Sequence, residues 1–422
     1  VIRREQVVIL DLNHLLSLGI KKQASLIHLE PFDDKILIRF RINSKLVEIG
    51  KLDTVKLEDI RDELLSMAGL DIFDHKPQNG SVTTKIDKTK VRLDIQTLPV
   101  INGEKISIAL LNLDQKLPNL SELGFWGQNL KLLKEVDSCS RGMIIVSGLD
   151  HSSKSKTLDN LLEKIAKENK SVSVIETKPN INLNKVNQLK HTVGSKVTIS
   201  MMLEALIRQN TDAITIDTIQ SLKELKTLVE YSSKSRLVLA TLYAKRASEV
   251  ITKFERIGIE PFLTSSGLKY VIFQKQVKKL CDICRIEKLI TKKKSDDILK
   301  ELDLNENTLL DLIDNLEDQA IKTNLGIKDD KKSFNNHLIS RLFEANKDEL
   351  CPKCQGTGYN GVILISEVIK INPEIEKKIL TLASEDELEK TFLKSNVIPL
   401  KVDALIKALR GEIAIDEVRN LK

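Results

Sequence analysis

Met143-Ile144-Ile145-Val146-Ser147-Gly148-Leu149-Asp150-His151-Ser152-Ser153-Lys154-Ser155 is a short apolar run that ends in a glycine and a polar turn carrying a lysine. Beyond it the pattern alternates. Strands are expected at 143–146, 171–175, 213–217 and 236–241, and helices at 155–168, 199–209, 222–232 and 247–257. Such alternation is the mark of a parallel sheet covered by helices. It predicts an α/β, nucleoside-triphosphatase-like core over residues 117–280.

The turn has nearly the form Gly-x-x-x-x-Gly-Lys-Ser of a phosphate loop between a strand and a helix. In such a loop backbone N–H groups curl around phosphates, the lysine reaches the terminal phosphates, and the hydroxyl binds Mg²⁺. Gly148, Lys154 and Ser155 fit, and Lys156 and Thr157 open the helix behind them. Ser153 stands in place of the second glycine. Its N–H can still serve, at a strain of about 1–3 kcal/mol if the backbone angles are kept. Read alone, an ordinary polar turn before a helix explains the stretch equally well. Asp217 ends the strand expected at 213–217, where it either holds Mg²⁺ through water or merely closes the strand.

Working outward, residues 1–116 read as a small α+β domain. Ile36, Ile38, Phe40 and Ile42 alternate with Leu37, Arg39 and Arg41, the period of a half-buried strand. Further strands are expected at 81–86, 90–98 and 104–111, with a helix at 55–68 and a linker near 114–118. Residues 281–422 carry charged helical stretches, a polar segment at 328–332 and a closing helical region.

Four of the 5 cysteines form two Cys-x-x-Cys pairs, Cys281 with Cys284 and Cys351 with Cys354. Four soft ligands are what a closed, structural zinc site requires, and the spacing is a metal pattern more than a disulfide framework. Free thiols are the alternative. Such a zinc would tie the end of the α/β core to the C-terminal segment. Cys139 stands alone and reads as a small buried hydrophobe.

The whole chain sets wider bounds. Its 422 residues suit two or three domains, and a hydrophobic share of 41% is enough for real cores. The net charge of +6 is a weak bias at this length and no argument for nucleic acid. No apolar run is long enough for a transmembrane segment, and none follows Val1-Ile2-Arg3-Arg4 as a signal peptide would require. A cytoplasmic setting is expected.

Several ordered motifs together resemble one family. Ala24-Ser25-Leu26-Ile27-His28-Leu29-Glu30-Pro31 with Ile38-Arg39-Phe40-Arg41-Ile42-Asn43 is similar to the "ASDIHIEP…RYRIDG" opening of type II secretion and type IV pilus assembly ATPases of the GspE/PilB type. Thr97-Leu98-Pro99 and Gly103-Glu104-Lys105-Ile106 match its "STLP…GEK", and Leu206-Ile207-Arg208-Gln209-Asn210-Thr211-Asp212 resembles "LRQDPD". Leu237 to Leu242 match "LVLSTL", Gly258 to Leu263 match "GIEPFL", and the cysteine pairs fall where the family has a four-cysteine insert. The resemblance implies a RecA-like P-loop core after a small α+β domain, with a zinc insert and C-terminal helical segment. It also implies a hexameric ring acting on an inner-membrane platform protein, at the inner face of the cytoplasmic membrane. The family's further N-terminal docking domain is expected to be missing from this chain.

Departures from the family fall on its chemical positions. His151 and Ser153 replace glycines of "GPTGSGKTT", and "IEDP" becomes Ile175-Glu176-Thr177-Lys178, which keeps Glu176. "VGEIRD" becomes Ile216-Asp217-Thr218-Ile219-Gln220-Ser221, so Thr218 takes the place of the Glu. Losing a general base costs about 10²–10⁴ in rate. Tyr243 stands for the histidine of "LHTND", and Ala109 for the arginine of "VLRLL". Against "VDLRVST", Arg92 and Asp94 are exchanged, and Arg92 lies close enough along the strand to recover part of the loss.

The expected function is therefore a catalytically impaired homologue, a hexameric structural or regulatory subunit of a pilus, secretion or DNA-uptake machine that binds ATP and Mg²⁺ weakly. The ring would be a homo-hexamer or a mixed oligomer with an intact paralogue. An active but divergent motor using Asp217, Glu176 or a further, unidentified residue is the first alternative, with Arg92 a candidate catalytic residue beside them, and a nucleic-acid-binding RecA-like protein is the second. Arg39 and Arg41 share one strand face and are candidates to contact phosphate or a neighbour, with a solvated face as the equal alternative, while His28 matches a family position on the domain that faces nucleotide, although a lone His near a strand is usually structural. Lys278-Lys279 and Lys292 to Lys294 read as solvated charge runs.

Overall fold

In the computed structural model, residues 11–32, 35–42, 45–114, 116–150, 152–168, 170–177, 179, 181–191, 195–219, 221–233, 236–346, 351–354 and 356–421 are described. His151, Lys178 and Gln220, along with Asn43 and the opening Val1 to Arg4, lie outside them. The chain forms two compact units, one of residues 1–116 with Pro179–Asn182 and one of Leu117–Lys178 with Leu183–Lys422.

The first unit contains α1 (Leu12–Lys21), β1 (Leu26–Phe32), β2 (Lys35–Ile42), β3 (Lys45–Asp53), α2 (Thr54–Met67), β4 (Gln78–Ile86), β5 (Thr89–Val100) and β6 (Gly103–Asn112). Its sheet has the order β3-β2-β1-β6-β5-β4 and is antiparallel throughout. Alternation in β2 turns Ile36, Ile38 and Phe40 inward, where they meet Leu57, Ile60 and Leu64 of α2 and Leu12 and Leu16 of α1. Asp11 caps α1 through a 2.8 Å bond from His14 N.

The second unit opens with α3 (Leu120–Leu123) and α4 (Gly127–Glu135). It continues with β7 (Gly142–Gly148), α5 (Lys154–Lys167), β8 (Val172–Glu176), β9 (Asn187–Lys190), α6 (Ile199–Arg208), β10 (Ala213–Ile216), α7 (Leu222–Ser233), β11 (Leu237–Tyr243), α8 (Ala247–Arg256), α9 (Pro261–Gly267) and β12 (Leu268–Leu280). A more irregular stretch follows: β13 (Ile286–Leu289), α10 (Lys292–Glu301), α11 (Asn307–Lys322), β14 (Phe334–Asn335), β15 (Leu338–Ile339), β16 (Arg341–Glu344) and β17 (Tyr359–Lys370). The chain ends in α12 (Pro373–Leu380), α13 (Glu385–Lys394), α14 (Leu400–Leu409) and α15 (Ile415–Arg419).

The core sheet has the order β17-β12-β7-β11-β10-β8-β9. All neighbours pair in parallel except β12 with β17, which are antiparallel over Tyr270↔Lys370 to Leu280↔Tyr359. The sheet is therefore mixed, where the sequence pattern suggests a purely parallel one. Its edge strand comes from a region that reads as helical. The run Val362-Ile363-Leu364-Ile365 is continuously apolar after Gly361, a pattern that a strand and a buried helix share, and its pairing with β12 makes it a strand. Among the described residues no helix is long and apolar enough to cross a membrane.

A fully buried charge cluster fastens the C-terminal helices to this sheet. Lys407 Nζ lies 2.7 Å from Asp403 Oδ2 one turn earlier in α14, and neither side chain is exposed. Asp403 also accepts from Trp126 Nε1 at 2.6 Å and from Ser366 N at 2.8 Å, and Lys407 donates to Leu364 O at 2.7 Å. Removing one partner strands the other charge in a dry interior, a cost of about 3–5 kcal/mol. Asp403→Ala is expected to lower the unfolding free energy by about that amount in urea titrations, and Asp403→Asn, which keeps an acceptor, by less.

Candidate functional site

The fully buried strand β7 delivers the chain to Gly148, whose φ of +153° and surroundings admit no side chain. A Cβ there would sit 2.3 Å from Gln274 O. The loop that follows is held from β12. Gln274, unexposed, donates from Nε2 to Ser152 O at 2.6 Å and accepts from Thr157 Oγ1 at 2.8 Å. Ser152 Oγ donates to Leu149 O at 2.7 Å. Ser153 has φ 57° and ψ 31°, the left-handed conformation, and directly precedes α5. A non-glycine residue holds that shape at about 1–2 kcal/mol. Its Oγ donates to Gln276 Oε1 at 2.6 Å. The loop thus keeps a glycine-type turn with serine in it.

Lys154 Nζ is folded onto the loop, donating to Leu149 O at 2.8 Å and Gly148 O at 3.1 Å. Burial lowers its pKa, while Asp150 and Asp217 pull the other way. Ser155 Oγ donates to Asp217 Oδ1 at 2.9 Å, joining the start of α5 to the end of β10. Burial raises Asp217 above the usual carboxylate range, and Ser155 and Lys154 oppose that. A hydroxyl and a carboxylate in contact beside a lysine are a donor set suited to a divalent cation and the phosphates it bridges. Lys156 is exposed, and the Thr157 hydroxyl is committed to Gln274.

Thr218, beside Asp217, places its Oγ1 3.4 Å from Thr241 Oγ1. Tyr243 closes β11, half exposed, with Lys253 Nζ 5.3 Å from its ring. Glu176 ends β8 and accepts from Gln188 Nε2 at 2.9 Å. A third buried acid escaped the sequence reading: Asp159, one turn past Ser155 in α5 and only 3% exposed. Burial, then Glu176, Asp217 and Glu163, push its pKa up to about 8. Its signal in the sequence is an acid between Leu158 and Leu161-Leu162, on the apolar side of the helix.

The first unit holds the remaining candidates. Arg92 and Asp94 bind one another, with Nη2 and Nε each 2.8 Å from Asp94 Oδ1, and Arg92 Nη1 donates to Pro179 O at 3.1 Å. Ala109 lies opposite Asp94. Arg39 and Lys105 both pair with Glu30, Lys105 at 2.7 Å. His28 Nδ1 is 3.1 Å from Ser107 Oγ, and burial lowers its pKa.

All four cysteine sulfurs lie within 4.8 Å of one another, with Cys281 and Cys351 Sγ 3.8 Å apart and Cys284 and Cys354 Sγ 3.5 Å apart. A tetrahedron of Zn–S bonds near 2.3 Å has edges of about 3.8 Å, so the cluster is close to the size a four-thiolate metal site needs. Burial raises the Cys354 thiol, but the Gly358 amide, the neighbouring cysteines and the Gly356 amide outweigh it and bring it down to about 6. Cys139 is separate, and burial raises its pKa.

A family model described as "Type II/IV secretion system protein" matches residues 2–420. The chain is 28% identical over 398 residues to the type IV pilus assembly ATPase PilB of Thermus thermophilus, covering 94% of this chain and 41% of that protein. It is 27% identical over 408 residues to the type II secretion system protein E of Aeromonas hydrophila, covering 96% of this chain and 74% of that one. Among solved structures, the Legionella pneumophila ATPase DotB superposes with a TM-score of 0.65 at 13% identity, covering 96% of this chain and 94% of that chain. The pilus retraction motor PilT with bound ADP gives 0.63 at 15%, covering 98% and 97%.

The raised Asp159 pKa makes stability depend on pH. Between the ordinary aspartate range and about 8 the folded state holds a proton that the unfolded state has lost, so stability falls as pH rises through that window. Asp159→Asn is expected to raise the melting temperature more at pH 8.5 than at pH 5.5 (about one proton's worth of linkage) when melting is followed by circular dichroism.

Proposed function

The chain belongs to the Type II/IV secretion system protein family, and from that premise we propose that it is a nucleotide-binding but catalytically impaired member. It acts as a structural or regulatory subunit of a pilus-assembly, secretion or DNA-uptake machine. The observation that carries this reading is the contrast at the end of β10: Asp217 keeps its bond to Ser155, while Thr218 beside it offers a hydroxyl and no carboxylate.

Gly148, Ser153, Lys154 and Ser155 are the residues that would hold the phosphates, with Lys156 and Thr157 in the first turn of the helix. Lys154 would exchange the carbonyls of Gly148 and Leu149 for the terminal phosphates, and Ser155 with Asp217 would take Mg²⁺. A bound Mg²⁺ neutralises phosphate charge. Neither Thr218 nor Thr241 carries a carboxylate that could take a proton from water. Arg92 is spent on Asp94, which removes its charge from other duties. An active but divergent motor is the second reading, favoured by the Ser155–Asp217 contact itself. The subunit belongs to a six-membered ring, homomeric or mixed with an intact paralogue, at the cytoplasmic face of the inner membrane against a platform protein.

Zinc in the four-cysteine cluster is structural. All four ligands come from protein, which leaves no open position for chemistry.

Purified chain is expected to bind a fluorescent ATP analogue in the presence of Mg²⁺ and to lose that binding in Lys154→Ala. Its phosphate release is expected to equal that of Lys154→Ala. Turnover well above the variant's would overturn the proposal in favour of the active motor. Atomic absorption is expected to find one zinc per chain, and Cys351→Ser or a strong chelator to abolish it and lower the melting temperature. A folded, metal-free wild type would refute the zinc assignment.

A further inference from the structure

A cavity of about 570 Å³ opens on the face of the core sheet opposite α5, within the second unit. Strand alternation sets that face. Gln274 turns towards α5 to hold Thr157, so its neighbour Phe273 turns the other way, and Glu367 lies directly across from Phe273 in β17. Phe273 and Phe392 with Leu304 and Leu400 form apolar walls, and the volume is that of a small-molecule site.

The charged groups around it are unevenly committed. Arg246 lies 3.6 Å from Glu389, and Lys401 3.4 Å from Asp303. Lys275 Nζ donates to the Asn420 carbonyl at 3.1 Å, and Lys245 has no ion pair among the described residues. Burial, and then Glu389, push the Glu367 pKa up to about 8, so this carboxyl is mostly uncharged at neutral pH. The lining therefore presents two lysines with no close ion pair among the described residues, Lys245 feeling only the longer-range charge of Glu249, and a mostly neutral carboxyl able to donate a hydrogen bond.

We infer that this cavity is a binding site for a small amphipathic anion, a compact aromatic or branched aliphatic body bearing a carboxylate or phosphate. The body lies against Phe273 and Phe392 and the charge is turned to Lys245 and Lys275. Leu149, whose carbonyl receives Lys154, also lines the cavity, so the occupant sits next to the phosphate loop without entering it.

The test is titration of the full chain with 1-naphthaleneacetate, followed by naphthyl fluorescence and calorimetry. Saturable one-to-one binding is expected, at least about tenfold tighter than that of the neutral 1-naphthaleneacetamide. Lys245→Glu, at an exposed position, and Leu393→Trp, which fills the 42% exposed rim, are each expected to weaken it about tenfold or more. No saturable binding, equal binding of the amide, or full retention by either cavity variant overturns the inference. Because the probe carries no nucleotide, this result is independent of whether the chain binds ATP.

Discussion

The amide of Gln274 is the constraint on which the phosphate loop's shape depends. It is unexposed, so both of its polar ends must find partners inside the protein, and they do so in Ser152 O and the Thr157 hydroxyl. These two groups flank the turn at Ser153. A turn pinned on either side from a neighbouring strand does not need glycine's freedom to reach its conformation, only enough support to offset the strain. Gln276, two residues along the same strand and on the same face, adds that support by receiving Ser153 Oγ. The loop is shaped by β12 as much as by its own sequence.

That dependence marks the limit of what could be read from the sequence. Period-two alternation located β2, and strand–helix alternation located β7, α5, β10 and β11 to within one or two residues. These are local signals. The edge strand β17 carries a continuous apolar run that periodicity does not separate from a buried helix, and only its pairing with β12 makes it a strand. The site divides in the same way. Gly148, Lys154, Ser155 and Asp217 declare themselves by spacing, and the structure brings Ser155 to Asp217. Asp159 is given away only by its position on a buried helical face, which is no motif, and for Arg92 the exchanged motif names the residue while its pairing with Asp94 shows only in the fold.

The C-terminal part of the second unit is built around charge more than its helical reading suggests. The polar segment at 328–332 is an acceptor for two arginines. Arg341 makes a bidentate pair with Asp329 at 2.9 and 2.8 Å, and the fully buried Arg410 reaches Asp329 and the carbonyls of Leu325, Ile327 and Lys331. Nearby, Glu317 accepts the backbone amides of Ser333 and Phe334. Paired buried charges of this kind contribute little net stability compared with apolar groups, but they punish any other arrangement, because a misplaced partner leaves a charge alone.

The pairing of Tyr270 with Lys370 has a bearing on how the chain reaches this state. Until residues Tyr359–Lys370 have left the ribosome, β12 presents an open, apolar rim to which any extended segment can add. Closing so long an excursion is entropically slow. The two Cys-x-x-Cys pairs stand at its two mouths, Cys281 just after β12 and Cys354 just before β17, with Cys281 N already bonded to Gly358 O. If the proposed zinc is captured there, it would turn a distant encounter into a short hairpin, and metal supply during synthesis would then set how long that rim stays uncovered.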